Sequence, residues 1–502
     1  MDNTYSTQCL RKFQQWKLNL RVSDESIEMA KTERAQLMDS LTYTDLKFRA
    51  GATKVYQGNI SPGCETCVNG LISFFYINGL CTRDCFFCPQ NRAMENERPP
   101  AAAEMTFNEP DRYADYLETF GFRGVGFSGG EPLLVMDKLL LFLNCIKKRF
   151  AGNIYAWVYT NGDLIDERKL KDLRDAGMDE IRINVSARDY DLEPVHRARR
   201  YFENVTVEIP AIPEEVDRVK SILPVLADIG VKYFNVHQLS LSQYNYSKIN
   251  ERNYCMSHSP DGGLVILDSE MSALRLLKHA SGQSFDFSLN YCSTIYKERY
   301  QSWGMRKQLA RTITADYEKI SGSGYILQLS AKGNSACMNQ TISAFEKQGT
   351  RKGLWKWLKT NEGDSRLLFH PDLIHFVPQE INNLSFQCFE AVIIPDDQRN
   401  ENRLPSFAEV RTVSDGPWVL GLKRLEIKDN VNAGFIKKLL SDCPWSAGNH
   451  LPEEHQTLRN LIRYIELEHG FSDPISTKTY WMGEKKRALI RQGFQKGCGI
   501  SS

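Results

Sequence analysis

Five of the 13 cysteines fall between residues 64 and 88, and three of these follow one another at short intervals. Cys81, Cys85 and Cys88 have the spacing C-x3-C-x2-C. Four cysteine thiolates ordinarily close an iron–sulfur cluster, so a set of three leaves one iron open to another ligand. The apolar run at residues 71–77 predicts a buried strand, and the cysteines follow it on a loop. The sequence therefore predicts a cluster site just beyond the carboxyl end of a strand.

A glycine-rich motif follows the cysteines, where a short apolar strand ends in the sequence SGGEP at residues 128–132. Together with the cysteine triplet, in which Phe87 directly precedes the last cysteine, this motif resembles the radical S-adenosylmethionine (SAM) superfamily. The resemblance implies a [4Fe–4S] cluster on the three cysteines, with its open iron chelated by the amino and carboxylate groups of SAM. It also implies that Gly129, Gly130 and Glu131 lie beside the methionine part of SAM, where glycine permits close approach of the backbone.

Predicted strands and helices alternate between residues 70 and 245, in about six strand–helix units. Apolar strand patterns recur at residues 155–160, 180–186, 205–210 and 231–237. Strands that alternate with helices at this spacing predict an α/β fold with a parallel sheet. Because of the resemblance, we expect an incomplete (βα)6 TIM-like barrel of the radical SAM type. Such barrels bind ligands at the carboxyl ends of their strands.

Polar residues occur where these predicted strands end. The resemblance implies that Asn184 and Ser186 reach the ribose or carboxylate of SAM, and that Arg182 pairs with the carboxylate. By the same resemblance, Phe87 packs near the adenine, and His237 is a further candidate for binding the cofactor. Each residue also has a structural alternative, because polar side chains cap strands and satisfy nearby backbone groups, and Phe87 can be an ordinary core aromatic.

A second pair of cysteines, Cys64 and Cys67, precedes the triplet with CxxC spacing. Zinc, iron–sulfur clusters and redox-active dithiols all use this spacing, so the pair alone does not identify its chemistry. A second metal centre needs further thiolates, and the distant candidates are Cys292 and Cys337. We predict an auxiliary iron–sulfur cluster or metal ion at Cys64, Cys67 and Cys292. A reduced, structural or redox-active CxxC pair is the alternative.

Other segments resemble a branch related to pyruvate formate-lyase activating enzymes. These segments are residues 63–67, 233–239 and 290–297, with Arg306 and Ala310. This resemblance covers about residues 60–310 and implies a shared role for Cys64, Cys67 and Cys292. Enzymes that activate glycyl-radical enzymes are much shorter than this chain, which argues against a simple transfer of their activity.

The length of 502 residues leaves room for parts outside the barrel. We predict an N-terminal helical extension over residues 1–59 and a radical SAM core with the CxxC segment over 60–310. An α+β domain over residues 311–502 is expected to bind substrate or an auxiliary group.

Charge and hydropathy bound the partners of the protein. The formal net charge of +1 argues against a nucleic-acid partner. No apolar run approaches the roughly 20 residues that span a membrane, and the first 20 residues lack the apolar core of a secretory signal. We therefore expect a cytoplasmic protein, in a compartment that keeps thiols reduced.

These features together predict a radical SAM enzyme, an oxidoreductase or transferase. It would reductively cleave SAM to a 5′-deoxyadenosyl radical that abstracts hydrogen from a peptide or protein substrate. The resemblance implies an electron donor of the flavodoxin or ferredoxin type. One alternative is radical tailoring or rearrangement of a small metabolite. Another is a non-catalytic iron–sulfur or zinc protein that binds a partner or senses redox state.

Overall fold

The computed structural model describes residues 24–436 with short gaps. The gaps are residues 91–98, 104, 243, 259–263, 352, 360–364, 379–380, 382, 397–398, 400–406, 414–416 and 435. The described chain divides into two compact units. The barrel unit contains residues up to 114 and residues 123–299, and the sheet unit contains residues 115–122 and the residues from 300 onwards.

The barrel unit is built on one large sheet and a separate hairpin. Its strands are β1 (Lys47–Arg49), β2 (Lys54–Tyr56), β3 (Ile72–Asn78), β4 (Ala101–Ala102), β5 (Met105–Thr106), β6 (Gly124–Gly129), β7 (Tyr155–Thr160), β8 (Glu180–Ile183), β9 (Asn204–Pro210), β10 (Tyr233–His237), β11 (Met256–His258), β12 (Leu264–Ile266) and β13 (Ser288–Cys292). The large sheet has the order β1-β2-β13-β10-β9-β8-β7-β6-β3-β4-β5, and β11 pairs with β12.

Helices connect the strands of this sheet. They are α1 (Asp24–Thr42), α2 (Pro62–Val68), α3 (Pro110–Thr119), α4 (Met136–Arg149), α5 (Glu167–Asp175), α6 (Glu193–Arg199), α7 (Val216–Ile229), α8 (Tyr246–Asn250) and α9 (Leu267–Ser281). Helix α1 packs against α9, where the buried Arg34 donates a hydrogen bond to Glu270 at 3.0 Å. Part of the predicted N-terminal extension is thus helical, while β1 and β2 from the same stretch belong to the sheet.

The strands from β3 through β10 that form the barrel pair in parallel, in the order β3-β6-β7-β8-β9-β10. These six strands confirm the predicted incomplete (βα)6 barrel. The sheet then continues to β13, which pairs in parallel with β10, and to β2, which pairs antiparallel with β13. The sequence analysis did not assign these last two strands to the barrel, and they contribute Cys292 and Lys54 to its wall.

Aromatic packing fixes the position of β3, the strand that leads into the cysteine loop. Phe75 on β3 stacks on Tyr113 of α3 with ring centroids 3.9 Å apart, and it packs against Phe142 of α4 at 4.8 Å. All three rings are buried, so they contribute apolar burial as well as specific ring contacts. This cluster holds the outer face of β3 against its helices.

The sheet unit has a different, mostly antiparallel architecture. Its elements are α10 (Ser302–Ile313), β14 (Glu318–Ile320), β15 (Ile326–Gly333), α11 (Ser335–Lys347), β16 (Trp355–Lys359), β17 (Ser365–Phe369), β18 (Leu384–Ile393), β19 (Glu409–Thr412) and β20 (Val419–Val431). The strand order is β16-β17-β15-β18-β20-β19, with β14 also paired to β15. The core between α11 and this sheet includes Leu329, Phe345 and Phe386.

The α+β architecture predicted after the barrel is therefore observed in the described residues. Residues 453–468, whose charged pattern predicts a helix, lie outside them. In the part of the chain that the structure describes, no helix is both long and apolar enough to cross a membrane.

Candidate active site

The cysteine loop leaves the carboxyl end of β3, as the sequence predicts. Cys81, Cys85 and Cys88 are partly buried on this loop, and the backbone N–H of Cys88 donates to the carbonyl of Cys85 at 3.2 Å. The three thiols thus lie on one short segment beside the ends of the parallel strands. This edge of the sheet is where α/β barrels bind ligands.

The end of β6 pairs closely with the beginning of the cysteine loop. Gly130 N–H donates to the carbonyl of Asn78 at 2.9 Å, and Glu131 N–H donates to the carbonyl of Leu80 at 2.6 Å. A Cβ on Gly129 would lie 2.2 Å from the Asn78 oxygen, and one on Gly130 would lie 1.8 Å from the Leu80 oxygen. No real side chain tolerates such distances, so both glycines are required for this approach of two backbones.

Glu131 is fully buried, and its carboxylate is directed toward the end of β7. It accepts hydrogen bonds from Thr160 Oγ1 at 2.8 Å, Asn161 N–H at 2.8 Å and Leu133 N–H at 3.1 Å. Burial raises the pKa of Glu131 to about 7, although these donors partly oppose the shift. The side chain therefore ties β6 to β7, and a contact of residues 129–131 with SAM through their backbone remains a prediction.

A second carboxylate, Asp163, anchors the cysteine loop from the loop after β7. Arg83 donates two hydrogen bonds to it at 2.6 Å each, Thr82 donates one at 2.8 Å, and Arg188 donates another at 2.6 Å. The hydrogen bonds from Arg83 are the main reason that the pKa of Asp163 is lowered to about 2. Nearby, Asn161 Nδ2 lies 3.7 Å from the sulfur of Cys81. The loop is thus fixed to the segment after β7 by Thr82 and Arg83, which directly follow its first cysteine.

The sequence analysis missed Asp163, Thr82 and Arg83 as residues that position the cysteines. A local signal exists, because Thr82 and Arg83 lie inside the C-x3-C spacing and Asp163 follows Asn161-Gly162 at a strand end. The sequence does not show, however, that these two loops meet.

Three of the predicted cofactor-binding residues lie near the strand ends. Ser186 donates a hydrogen bond to Asn184 Oδ1 at 2.6 Å, and both side chains are partly exposed. Phe87 is partly buried and packs with Phe86 against the apolar cluster around Leu239. Their contacts with SAM remain predictions. The packing of Phe87 also fits its alternative as a core aromatic.

The guanidinium of Arg182 is buried inside the barrel. All three guanidinium nitrogens have partners inside the barrel. These partners are Glu180 at 2.7 Å, Glu208 at 3.0 Å, Ser61 at 3.1 Å, Tyr159 at 3.3 Å and the sulfur of Cys64 at 3.7 Å. Glu180 is completely buried, so it needs this opposite charge. The structure thus uses Arg182 to compensate buried carboxylates, which leaves its predicted pairing with the SAM carboxylate without support.

His237 lies at the carboxyl end of β10, with Nε2 2.8 Å from Glu208 Oε1. Burial lowers the pKa of His237 to about 4, so the imidazole is neutral at pH 7. Burial opposes the charge of Glu208, whereas His237 and Arg182 favour it, and its pKa lies below the usual range. His237 is therefore oriented by a carboxylate at the strand ends, and its predicted contact with the cofactor remains a prediction.

The second set of cysteines comes together inside the barrel. Cys64 and Cys67 lie on α2, and Cys292 lies at the end of β13. Burial raises the pKa of Cys67 to about 12 and also raises that of Cys64. Cys337 lies on α11 of the sheet unit, packed against the apolar core of that unit.

The cysteine triplet fits the cluster that its spacing predicts. It offers three soft sulfur donors on one short loop, and thiolate ligands are those that iron–sulfur clusters use. Arg83 adds a positive charge near Cys81 and Cys85. Among the described residues, no three cysteine, histidine or carboxylate side chains converge closely enough to hold a single metal ion. A cubane cluster differs in this respect, because its iron atoms sit at separate corners and its ligands stand further apart.

Comparison with known proteins identifies the family. Residues 75–209 match the model of the radical SAM superfamily, and this segment runs from β3 to β9. This segment therefore carries a radical SAM domain, and the barrel and the cysteine triplet fit an enzyme of this type, whose cofactors are a [4Fe–4S] cluster and SAM. The chain is also similar to an activating enzyme of glycyl-radical enzymes.

A putative glycyl-radical enzyme activating enzyme from Methanocaldococcus jannaschii is 26% identical over 363 residues, which cover 68% of this chain and 92% of that protein. A PqqA peptide cyclase from Granulibacter bethesdensis is 32% identical over 117 residues, covering 23% of this chain and 29% of that protein. The crystal structure of SuiB from Streptococcus suis bound to S-adenosylmethionine is 13% identical and covers 56% of this chain and 59% of that one. Its TM-score of 0.32 is too low to support a comparison of sites.

Proposed function

We propose that this radical SAM enzyme removes a hydrogen atom from a peptide or protein substrate and thereby modifies it. The observation that carries the catalytic part is the cysteine loop, which the carbonyls of Asn78 and Leu80 and the anchor at Asp163 hold at the strand ends. When bound there, the [4Fe–4S] cluster and SAM supply a 5′-deoxyadenosyl radical. The chain itself binds the cluster through Cys81 and its two partners, positions their loop and shields the barrel interior.

A polypeptide substrate is supported by the Methanocaldococcus jannaschii relative, which matches over 68% of this chain and is named as a putative activating enzyme of another enzyme. The sheet unit adds chain beyond the barrel that a larger substrate could contact. An electron donor of the flavodoxin or ferredoxin type is part of this proposal, since the cluster must be reduced before SAM is cleaved. Radical tailoring of a small metabolite is the competing function.

Deuterium transfer separates the two substrate classes. The cells that make the protein would be grown in deuterated medium, and their polypeptide and small-metabolite fractions would each be incubated with enzyme, unlabelled SAM and reductant. We expect 5′-deoxyadenosine to gain deuterium from the polypeptide fraction, and to lose this label when the fraction is first digested with a protease. Deuterium that comes only from the metabolite fraction would contradict a polypeptide substrate.

A matched control uses the Cys85→Ala variant, which lacks one predicted cluster ligand. It should form no 5′-deoxyadenosine with either fraction. Deuterated 5′-deoxyadenosine that forms only with wild-type protein then comes from the radical reaction itself. Hydrogen exchange gives a second readout: a polypeptide should protect segments of the sheet unit as well as the barrel strand ends, whereas a metabolite should protect mainly the latter.

A further inference from the structure

Three cysteines that are distant in the sequence surround one buried lysine inside the barrel. The ammonium of Lys54 lies 2.9 Å from the sulfur of Cys292, and it also interacts electrostatically with Cys64 and Cys67. Lys54 is 1% exposed, and Cys64 and Cys292 are each 6% exposed. These residues belong neither to the cysteine loop nor to its anchor at Asp163.

The fold brings these residues together by strand register and by one helical turn. Lys54 on β2 is directly opposite Cys292 on β13, so their side chains share the inner face of the sheet. Cys64 and Cys67 are three residues apart on α2, which places both on one side of that helix. Gly63 lets this helix approach the barrel interior, because a Cβ there would lie 2.5 Å from the guanidinium of Arg182.

Hydrogen-bond donors surround the three sulfur atoms. Donors near Cys64 are Asn235 Nδ2 at 3.5 Å, Arg182 Nη2 at 3.7 Å and Asn290 Nδ2 at 3.9 Å; Asn290 Nδ2 also lies 3.6 Å from Cys292, and Tyr296 OH lies 3.8 Å from Cys67. Two amide oxygens are also within reach, because Cys64 can donate to Asn235 Oδ1 at 3.8 Å and Cys292 to Asn290 Oδ1 at 4.0 Å. Sulfur is a weak acceptor as a thiol and a strong one as a thiolate, so this environment suits sulfur that carries negative charge. Donors to the sulfurs are also a means by which proteins tune iron–sulfur clusters.

The charge of Lys54 gives an independent reason to expect an anion here. Within the described residues no carboxylate forms an ion pair with its ammonium, whose contacts are Cys292 and the ring of Tyr296 at 4.8 Å. A buried ammonium is costly unless it is paired with negative charge. A cluster held by three thiolates carries a net negative charge and would provide this partner.

We propose that Cys64, Cys67 and Cys292 bind a second iron–sulfur cluster inside the barrel. A cluster fits better than a single zinc ion, because these side chains do not converge on one point in the described structure, and cubane ligands stand further apart. Lys54 and Arg182 face this site and favour its more negative, reduced form. The proposal concerns metal binding alone, so it holds or fails independently of the substrate.

Iron and acid-labile sulfide measured after anaerobic reconstitution test the proposal. Wild-type protein should bind about eight iron atoms per chain, and a variant with Cys81, Cys85 and Cys88 changed to alanine should keep about four. That variant should also keep the absorption and Mössbauer signals of a cluster. Changing Cys64, Cys67 and Cys292 to alanine as well should remove the remaining iron, while Cys388→Ala, a buried cysteine elsewhere, should not change the iron content.

Three results would overturn the second cluster. The first is loss of all iron from the variant that lacks Cys81, Cys85 and Cys88 while its circular dichroism remains native. The second is zinc without sulfide at Cys64, Cys67 and Cys292. The third is a metal-free protein in which two of these three thiols form a disulfide that reductants reverse. The variant that lacks Cys81, Cys85 and Cys88 still contains Cys64, Cys67 and Cys292. Its iron content therefore tests the proposal even if replacing the latter three cysteines unfolds the barrel.

Discussion

The carbonyl oxygen of Leu80 lies 1.8 Å from the point where a Cβ on Gly130 would stand. Leu80 directly precedes Cys81, so the close approach of these two residues connects the glycine-rich end of β6 to the first cluster ligand. The neighbouring hydrogen bonds from Gly130 to Asn78 and from Glu131 to Leu80 make the same connection. A change at Gly129 or Gly130 should therefore act on the cluster through the backbone.

Replacing Gly130 with alanine should displace the start of the cysteine loop, because the new methyl group meets a backbone carbonyl that has little freedom to move. We expect the variant to lose about 3 kcal/mol of unfolding free energy and to retain less iron after reconstitution. Gly282→Ala is a suitable control, since its Cβ would lie no closer than 3.6 Å to any neighbour. Equal iron retention in the two variants would show that this contact does not hold the cluster.

Asp163→Asn should weaken the anchor of the cysteine loop without removing any cysteine. The asparagine keeps the shape of the side chain but loses the negative charge that Arg83 and Arg188 share, which should cost about 1–3 kcal/mol. Iron should then pass faster to a chelator under anaerobic conditions. Asp217→Asn, which removes only a surface pair with Lys220, should match wild type.

The lowered pKa of Asp163 determines how the stability difference between wild type and Asp163→Asn depends on pH. Because this pKa is about 2 in the folded protein, the stabilisation is complete above the ordinary aspartate pKa of about 3.9 and is lost as pH falls toward 2. The stability difference between wild type and variant should therefore be constant from pH 5 to 8. A difference that changes over this range would mean that another group carries the effect.

Glu131 should make stability depend on pH in the opposite sense. Its folded-state pKa is raised to about 7, so its protonated form stabilises the fold at low pH and this contribution is lost as pH rises from 4.5 through 7. Between pH 4.5 and 8, wild type should lose about 3 kcal/mol relative to Glu131→Gln, which has no charge to bury. Denaturant unfolding of both proteins at each pH measures this, and a parallel pH dependence would contradict a buried, titrating Glu131.

Arg182→Met should be strongly destabilising, because it leaves the buried carboxylates of Glu180 and Glu208 without their guanidinium. Removing one member of such a buried pair typically costs about 3–5 kcal/mol. A double variant that also carries Glu180→Gln should recover part of this loss. Arg200→Met, at an exposed pair with Glu167, should have almost no effect.

The same experiment distinguishes the observed ion pairs of Arg182 from its predicted contact with SAM. If its guanidinium bound the SAM carboxylate instead, the variant would unfold normally and bind SAM weakly. Measuring the unfolding free energy and SAM affinity of Arg182→Met therefore distinguishes a buried ion pair from a cofactor contact.

Local patterns in the sequence predicted much of the fold. The cysteine spacing, the apolar run before Cys81 and the alternation of strands and helices are all short-range signals, and the parallel sheet follows from them. The six-stranded barrel was an expectation from the resemblance to the radical SAM superfamily. The predicted position of the cluster loop at a strand end is correct for the same reason. Gly129 and Gly130 were also recognised, but the sequence could not show that they face the carbonyls of Asn78 and Leu80.

Contacts between distant segments were not predictable in the same way. Lys54 and Cys292 meet only because β2 joins β13 in a particular antiparallel register. Arg182 pairs with Glu180 rather than remaining available at the strand ends, because α2 and Ser61 enclose it inside the barrel. Neither the register nor the enclosure leaves a pattern in the sequence, since each depends on how whole elements pack.

Cleavage of SAM tests the central claim most directly. Reconstituted wild-type protein, incubated anaerobically with SAM and a strong reductant, should form 5′-deoxyadenosine and methionine in equal amounts. The Cys85→Ala variant, with its fold confirmed by circular dichroism, should form neither. Absence of 5′-deoxyadenosine from wild-type protein that holds its cluster, or undiminished formation by Cys85→Ala, would contradict radical SAM chemistry at Cys81, Cys85 and Cys88.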